Sequence, residues 1–314
     1  MNKLVRYWNQ NRGKIIITIA IIAFIIILIQ IVNGILENSK AKRKESETID
    51  YTKPVQSVIT GEVVSEEKTT ENTNIIKEFV DYCNHKEYNK AFEILSKDCK
   101  EIVFGNDINL FKTNYYNQIF STTRTYDLNL WLNINNIYTY QIKYYEDNLL
   151  ATGGGDLSKN IEDYITITKE DSEYKLNVNG FIQKKDINKS SKQNDIEINI
   201  NSKIIYKNYE TYDITIKNYT PNTILINDGQ NSEDIYLLDN RNVKYTSFIH
   251  EIPVEHLTLK SAYEKKIQIR FNKMHNLNRN IEKIVFQDII LNYEEYQKNP
   301  ISENLQKVSI EVKI

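Results

Sequence analysis

From Ile15 to Leu36 the chain runs IIITIAIIAFIIILIQIVNGIL, with Lys14 and Glu37 at its ends and no charge between them. At a rise of 1.5 Å per residue this run is about 33 Å long, enough to cross a hydrocarbon core of about 30 Å. A helix buried in a soluble domain is rarely apolar on every face over this length, so the pattern predicts a transmembrane helix over residues 15–36. A cleaved signal peptide competes for the same run, but its apolar region is normally only about 7–15 residues long. Residues 37–73 then turn polar, rich in Lys, Glu, Ser and Thr with Tyr51 as the only aromatic. Such a stretch cannot bury enough apolar surface to fold alone, and it predicts a flexible stalk.

Beyond the stalk the apolar positions take up helical spacing. Ile76, Phe79, Val80 and Cys83 fall at i, i+3, i+4 and i+7, and Tyr88, Phe92, Leu95, Cys99 and Val103 continue the stripe. Asn84 to Glu87 is a short polar connection, so an antiparallel helical hairpin is expected, followed by a third helix from about Asp107 to Ile119 capped by Asn106. The period then changes to two. Leu128, Leu130, Leu132 and Ile134 alternate with polar neighbours, and further strands are expected at about 138–145, 161–168 and 174–181, the last two joined at KEDSE. The polar stretch KKDINKSSKQND separates this region from a series of short alternating segments, among them IEINI, YDITIKN, DIYLLD, KKIQIRF and KVSIEVKI. The expected organisation is therefore a tail (1–14), a membrane helix (15–36), a stalk (37–73), an α+β domain (74–185), a linker (186–195) and an all-β sandwich (196–314).

Helices followed by a long antiparallel sheet, with the text FVDYCNHKEYNKAFEILSKDCKEIVFGNDINLFKTNYY and the closing hairpin YITITKEDSEYKLNVNGF, resemble the nuclear-transport-factor-2-like, or SnoaL-like, α+β cone. The resemblance covers roughly residues 74–185. It implies a curved sheet wrapped around a long helix, and a pocket that some members use for catalysis with Asp and His and others for binding or assembly. Asp127, Asn129 and Asp163 are the candidate pocket-lining residues. No histidine flanks them, and His85, the only histidine of this domain, falls in the expected hairpin turn. The order YDITIKNYTPNTILI, IYLLDNRNVKY, LTLKSAYEKKIQIRF resembles immunoglobulin-like, telokin-like domains of bacterial surface proteins, which implies a spacer or adhesion role.

Composition narrows the function further. The net charge of the 314-residue chain is −2, which offers no bulk electrostatic attraction to nucleic acid, so a nucleic-acid partner is not expected. Abundant Ile, Asn, Lys and Tyr fit an AT-rich bacterial genome. Both cysteines, Cys83 and Cys99, lie on apolar stripes about three helical turns apart across the hairpin, too far for a bridge whose Cα atoms must approach within about 7 Å.

Three stretches invite a chemical reading. HEIPVEH (250–256) carries two His and two Glu, but Pro253 keeps them off a single helix face and the HExxH spacing is missing. ATGGGDLS (151–158) lacks the GK[ST] of a phosphate loop, and NDGQNSED (227–234) lacks the alternating carboxylates of an EF-hand. No catalytic, metal or cofactor residue is expected.

Four cations precede the apolar run and four follow it, so charge counting alone leaves orientation open. Exporting a short tail with four cations opposes the membrane potential by roughly 2.3 kcal/mol per charge per 100 mV, whereas large domains translocate largely regardless of charge. The N-terminus is therefore expected in the cytoplasm and the bulk of the chain outside. The expected function is that of a non-enzymatic, single-pass envelope protein that uses residues 15–36 to contact the bilayer and its two outer domains to bind protein partners or itself. By layout this is similar to the VirB-type scaffolds of conjugation and secretion machines. The alternative is an envelope enzyme or small-ligand sensor using the cone pocket.

Overall fold

The computed structural model describes residues 55–146, 160–276 and 278–314. The expected membrane helix, the tail, the first part of the stalk and the ATGGGDLS segment lie outside the described residues. Among the described residues no helix is long and apolar enough to cross a membrane. The fold is mixed α+β, with antiparallel sheets and few helices.

A short hairpin, β1 (Val55–Gln56) and β2 (Val63–Val64), opens the described chain. The backbone N–H groups of Val58 and Ile59 then donate to the carbonyls of Leu130 and Trp131, at 3.0 Å each. This covers the outer edge of the first sheet.

Helix α1 (Glu66–Asn84) begins inside the expected stalk, at a Ser65 cap whose hydroxyl accepts from the Lys68 N–H, with Glu66 and Glu67 in its first turn. Residues 55–73, expected as the end of the stalk, are therefore corrected to folded structure: the β1–β2 hairpin and the first turns of α1. The helix buries Thr69, Asn72 and Thr73 before the apolar stripe of Ile76, Phe79, Val80 and Cys83. Each of those polar side chains makes a hydrogen bond, although Asn72 Oδ1 is buried without a partner. The Thr69 and Thr73 hydroxyls donate back to Ser65 and Thr69 carbonyls, and the Asn72 amide donates to the Tyr140 hydroxyl.

Two helices follow, α2 (Tyr88–Glu93) and α3 (Lys97–Phe104), the latter capped by the Ser96 hydroxyl and closed by Gly105 at φ +58. Residues 108–119 form α4, opening at the Asp107 cap and widening into a π-helical stretch at Lys112–Tyr116.

The first sheet has the order β3-β4-β5-β6, built from β3 (Arg124–Ile134), β4 (Ile137–Glu146), β5 (Ile161–Glu170) and β6 (Glu173–Asn177). Both two-residue turns, Asn135–Asn136 and Asp171–Ser172, hold positive φ at each central position, the conformation that matches strand twist and that Asn and Asp tolerate. Helices cover one face, and Leu95 forms a bridge to Leu176 that ties the helical layer to the last strand.

Residues 181–193 are not a domain end followed by a linker. They form a single strand, β7 (Phe181–Gln193), paired with β8 (Ile196–Tyr206) through a tight turn at Asn194–Asp195. The polarity of this stretch reflects its place at the edge of a sheet, where charged side chains block pairing with other chains. β7 belongs to the second sheet along its whole length, from Phe181 opposite Tyr206 to Gln193 opposite Ile196.

The second sheet, order β14-β9-β8-β7, adds β9 (Glu210–Asn218) and β14 (Glu264–Phe271). A third sheet faces it. It runs β12-β11-β15-β10-β13, with β16 also paired to β15. Its strands are β10 (Ile224–Leu225), β11 (Ile235–Asp239), β12 (Lys244–Thr246), β13 (Thr258–Leu259), β15 (Ile281–Ile290) and β16 (Lys307–Lys313). Between these sheets Ile198, Ile200, Ile214, Ile216, Leu237, Ile284, Phe286 and Ile310 form a continuous apolar core. The alternation of isoleucines along each strand places them all on this inner face.

Candidate functional site

The expected pocket-lining residues divide between the two faces of the first sheet. Asp127 and Asn129 alternate with buried Leu128 and Leu130, and stand opposite Lys143 and Gln141 on the face turned away from the helices. Asp163 lies opposite Ile142, on the helix-facing side. The register therefore does not bring the three together.

The space beneath the helices is filled by aromatic rings. Phe79, Phe104, Phe111, Tyr115, Tyr140 and Tyr144 are all among the largest fully buried side chains. Phe104 meets Phe111 edge-on at 5.3 Å, and Phe120 meets Tyr144 at 5.2 Å, the arrangement aromatic quadrupoles favour.

Asp163 is consumed by structure. The Tyr115 hydroxyl and the Asn179 N–H donate to Oδ2 at 2.8 and 3.0 Å, and the Tyr164 and Gly180 N–H groups donate to Oδ1 at 2.7 and 3.0 Å. Burial raises its carboxyl pKa, and these four donors oppose the shift. Asp163 thus fixes the turn from which β7 departs.

Both cysteines are free and buried. Burial raises both thiols, that of Cys99 to about 12, which makes them packing atoms rather than nucleophiles. HEIPVEH leaves His250 and His256 exposed, and Glu251 pairs with Arg270. In NDGQNSED, Asn227, Asp228 and Asn231 accept from backbone N–H groups two residues on. Among the described residues no group of three or more His, Cys, Asp or Glu side chains could hold a metal.

The polar chemistry is concentrated elsewhere, in a cleft of about 650 Å³ where the β3–β4 turn meets the end of the sandwich. β8 positions it. A bulge after Ile200 shifts the strand register, so that Lys203 stands opposite Tyr212 on the inward side, and Ile205 opposite Glu210. Lys185 on β7 lies directly across from Lys203. The inner face of the sandwich therefore changes from isoleucine to charge at this end.

Glu210 and Lys273 form a buried ion pair at 2.6 Å, and the Tyr212 hydroxyl donates to the second Glu210 oxygen at 2.8 Å. Arg279 donates to Asp239 at 3.1 Å. Burial alone would raise the Asp239 carboxyl, but the Val243 and Arg241 N–H groups, the Tyr245 hydroxyl and Arg279 outweigh it and hold the carboxyl at about 2. His275 is lowered to about 4 by burial and by the adjacent Lys273, and its Nε2 is buried without a hydrogen-bond partner. Lys203 is lowered by burial, with Glu210 opposing and Lys273 and Lys185 adding to the shift.

None of these cleft residues is among the expected site residues. The available signal was a charge at core parity: Glu210 precedes Tyr212, Ile214 and Ile216 by twos, and Lys273 follows Ile269 and Phe271 by twos. No family model, curated protein or solved structure matches the chain.

Proposed function

We propose that this chain is a single-pass membrane protein of the bacterial cell envelope, held by residues 15–36, that presents its two folded modules outside the cytoplasm as a non-enzymatic binding or assembly component. On this reading the first module is a cone of the nuclear-transport-factor-2-like type and the second an immunoglobulin-like sandwich. A conjugation or secretion scaffold is its specific version.

The observation that carries the reading is the filled interior of the first module. An enzyme or sensor of the cone type needs an open pocket with titratable walls, and here aromatic rings occupy that space while the buried carboxylate is held by four donors. The remaining polar features lie at the surface and at the cleft between modules, where they suit recognition.

Protease treatment of intact cells stripped of their walls tests the placement. Digestion of residues 55–314, with a cytoplasmic control untouched, is the expected result. Survival of those residues while a surface control is cut overturns it.

A further inference from the structure

The cleft lining holds two lysines that form no ion pair. Of its charged lining, Lys273 is paired with Glu210 and Arg279 with Asp239, while Glu62 accepts from the Asn133 amide and keeps its charge. Lys185 and Lys203 remain. Among the described residues neither side chain makes a hydrogen bond or ion pair, although the two residues face each other across β7 and β8. Side chains directly opposed on neighbouring strands have Cβ atoms only about 4.5–5.5 Å apart, and like charges there destabilise the sheet. Two ammonium groups at that separation can both reach one small group between them. Lys203 is also partly desolvated, so its charge is costly unless an anion meets it.

The apolar part of the cleft, with Leu132, Ile134, Ile137, Ile182, Ile205 and Ile281, forms a wall beside the lysines. The volume of about 650 Å³ exceeds a bare ion and falls in the range of small-molecule sites, roughly 300–1,000 Å³.

We propose that this cleft binds a small organic phosphomonoester, its doubly charged phosphate held between Lys185 and Lys203 and its body lying on the apolar wall. Two lysines facing each other across the strands match a dianion between them better than a carboxylate or a phosphodiester, each of which carries one charge. His275 also lines the cleft, and its buried Nε2 has no hydrogen-bond partner. The inference does not depend on membrane placement or on the cone assignment.

The test uses the full chain in an uncharged, sugar-headgroup detergent, so that no lipid phosphate competes. Inorganic phosphate and glycerol 3-phosphate are titrated by calorimetry and by melting temperature, with acetate and a glycerophosphodiester as single-charge controls. Saturable binding of the two phosphates is expected, with the controls at least tenfold weaker. Lys203→Met should weaken phosphate binding at least tenfold, while the melting temperature without ligand holds steady or rises because a like-charge contact has been removed. Lys185→Met should do the same to a lesser degree. Absence of saturable binding at millimolar phosphate, unchanged affinity in the double variant, or equal affinity for acetate or the diester overturns the proposal.

Discussion

Glu210 and Lys273 meet at 2.6 Å with side chains only 2% and 3% exposed, at the point where the isoleucine core of the sandwich gives way to the charged cleft. A buried pair of this kind gains little over an apolar substitute, yet each partner alone is a stranded charge. Glu210→Gln or Lys273→Met should therefore cost about 3–5 kcal/mol in urea unfolding, and the double variant should recover most of that loss. A double variant as unstable as the two singles combined would show that the pair is not energetically coupled.

Asp163 should behave as the fastener of the β6–β7 turn. Asp163→Asn keeps the shape but turns an amide toward N–H donors that need an acceptor, and each polar group left unsatisfied costs about 1–3 kcal/mol. Tyr115→Phe removes one donor of four and should cost about 1 kcal/mol. Amide hydrogen exchange would place the damage: protection at Tyr164, Asn179 and Gly180 should fall in D163N before it falls in the sandwich strands. Uniform loss across both modules would argue against a local role.

The cysteines are expected to be silent until the fold opens. Cys83 and Cys99 should resist a thiol reagent at neutral pH under native conditions and react fully in denaturant, since burial disfavours both thiolates. The C83A/C99A variant should lose about 1–2 kcal/mol through its two small cavities and keep its secondary structure. Rapid native labelling of either residue would contradict the buried assignment.

Acid sensitivity should come in two windows. His275 is lowered to about 4 in the fold against about 6.5 in the unfolded chain, so between those values the unfolded state binds the additional proton. Its contribution is present above pH ~6.5 and is lost as pH falls through about 4, with a slope of at most about 1.4 kcal/mol per pH unit. Asp239, held at about 2 against roughly 3.9 unfolded, loses its contribution in the lower window. Unfolding measured from pH 7 to 4 should be flatter for His275→Gln than for the unaltered chain, and identical slopes would refute the assignment.

Periodicity alone carried the backbone of the fold. The stripe of Ile76, Phe79, Val80 and Cys83 and the alternation of Ile214 and Ile216 each encode one face of one element, and a face is a local property that spacing reveals. The start of α1 was hidden because Thr69, Asn72 and Thr73 occupy core positions with polar side chains, where they bond to Ser65, Thr69 and Tyr140. The strand character of residues 186–193 was hidden because an edge strand and a linker share the same polar composition.

What tertiary structure alone decided was partnership. One sheet register sends Asp127 and Asn129 outward and Asp163 inward, separating residues that the resemblance to the cone had grouped in one pocket. Another, with a bulge after Ile200, sets Lys203 opposite Tyr212 and beside Lys185, and brings together Glu210 on β9 and Lys273, two residues past β14. A local pattern specifies which face a residue takes, whereas charges pair or repel only through distances between segments, and those exist only once the sheets have formed.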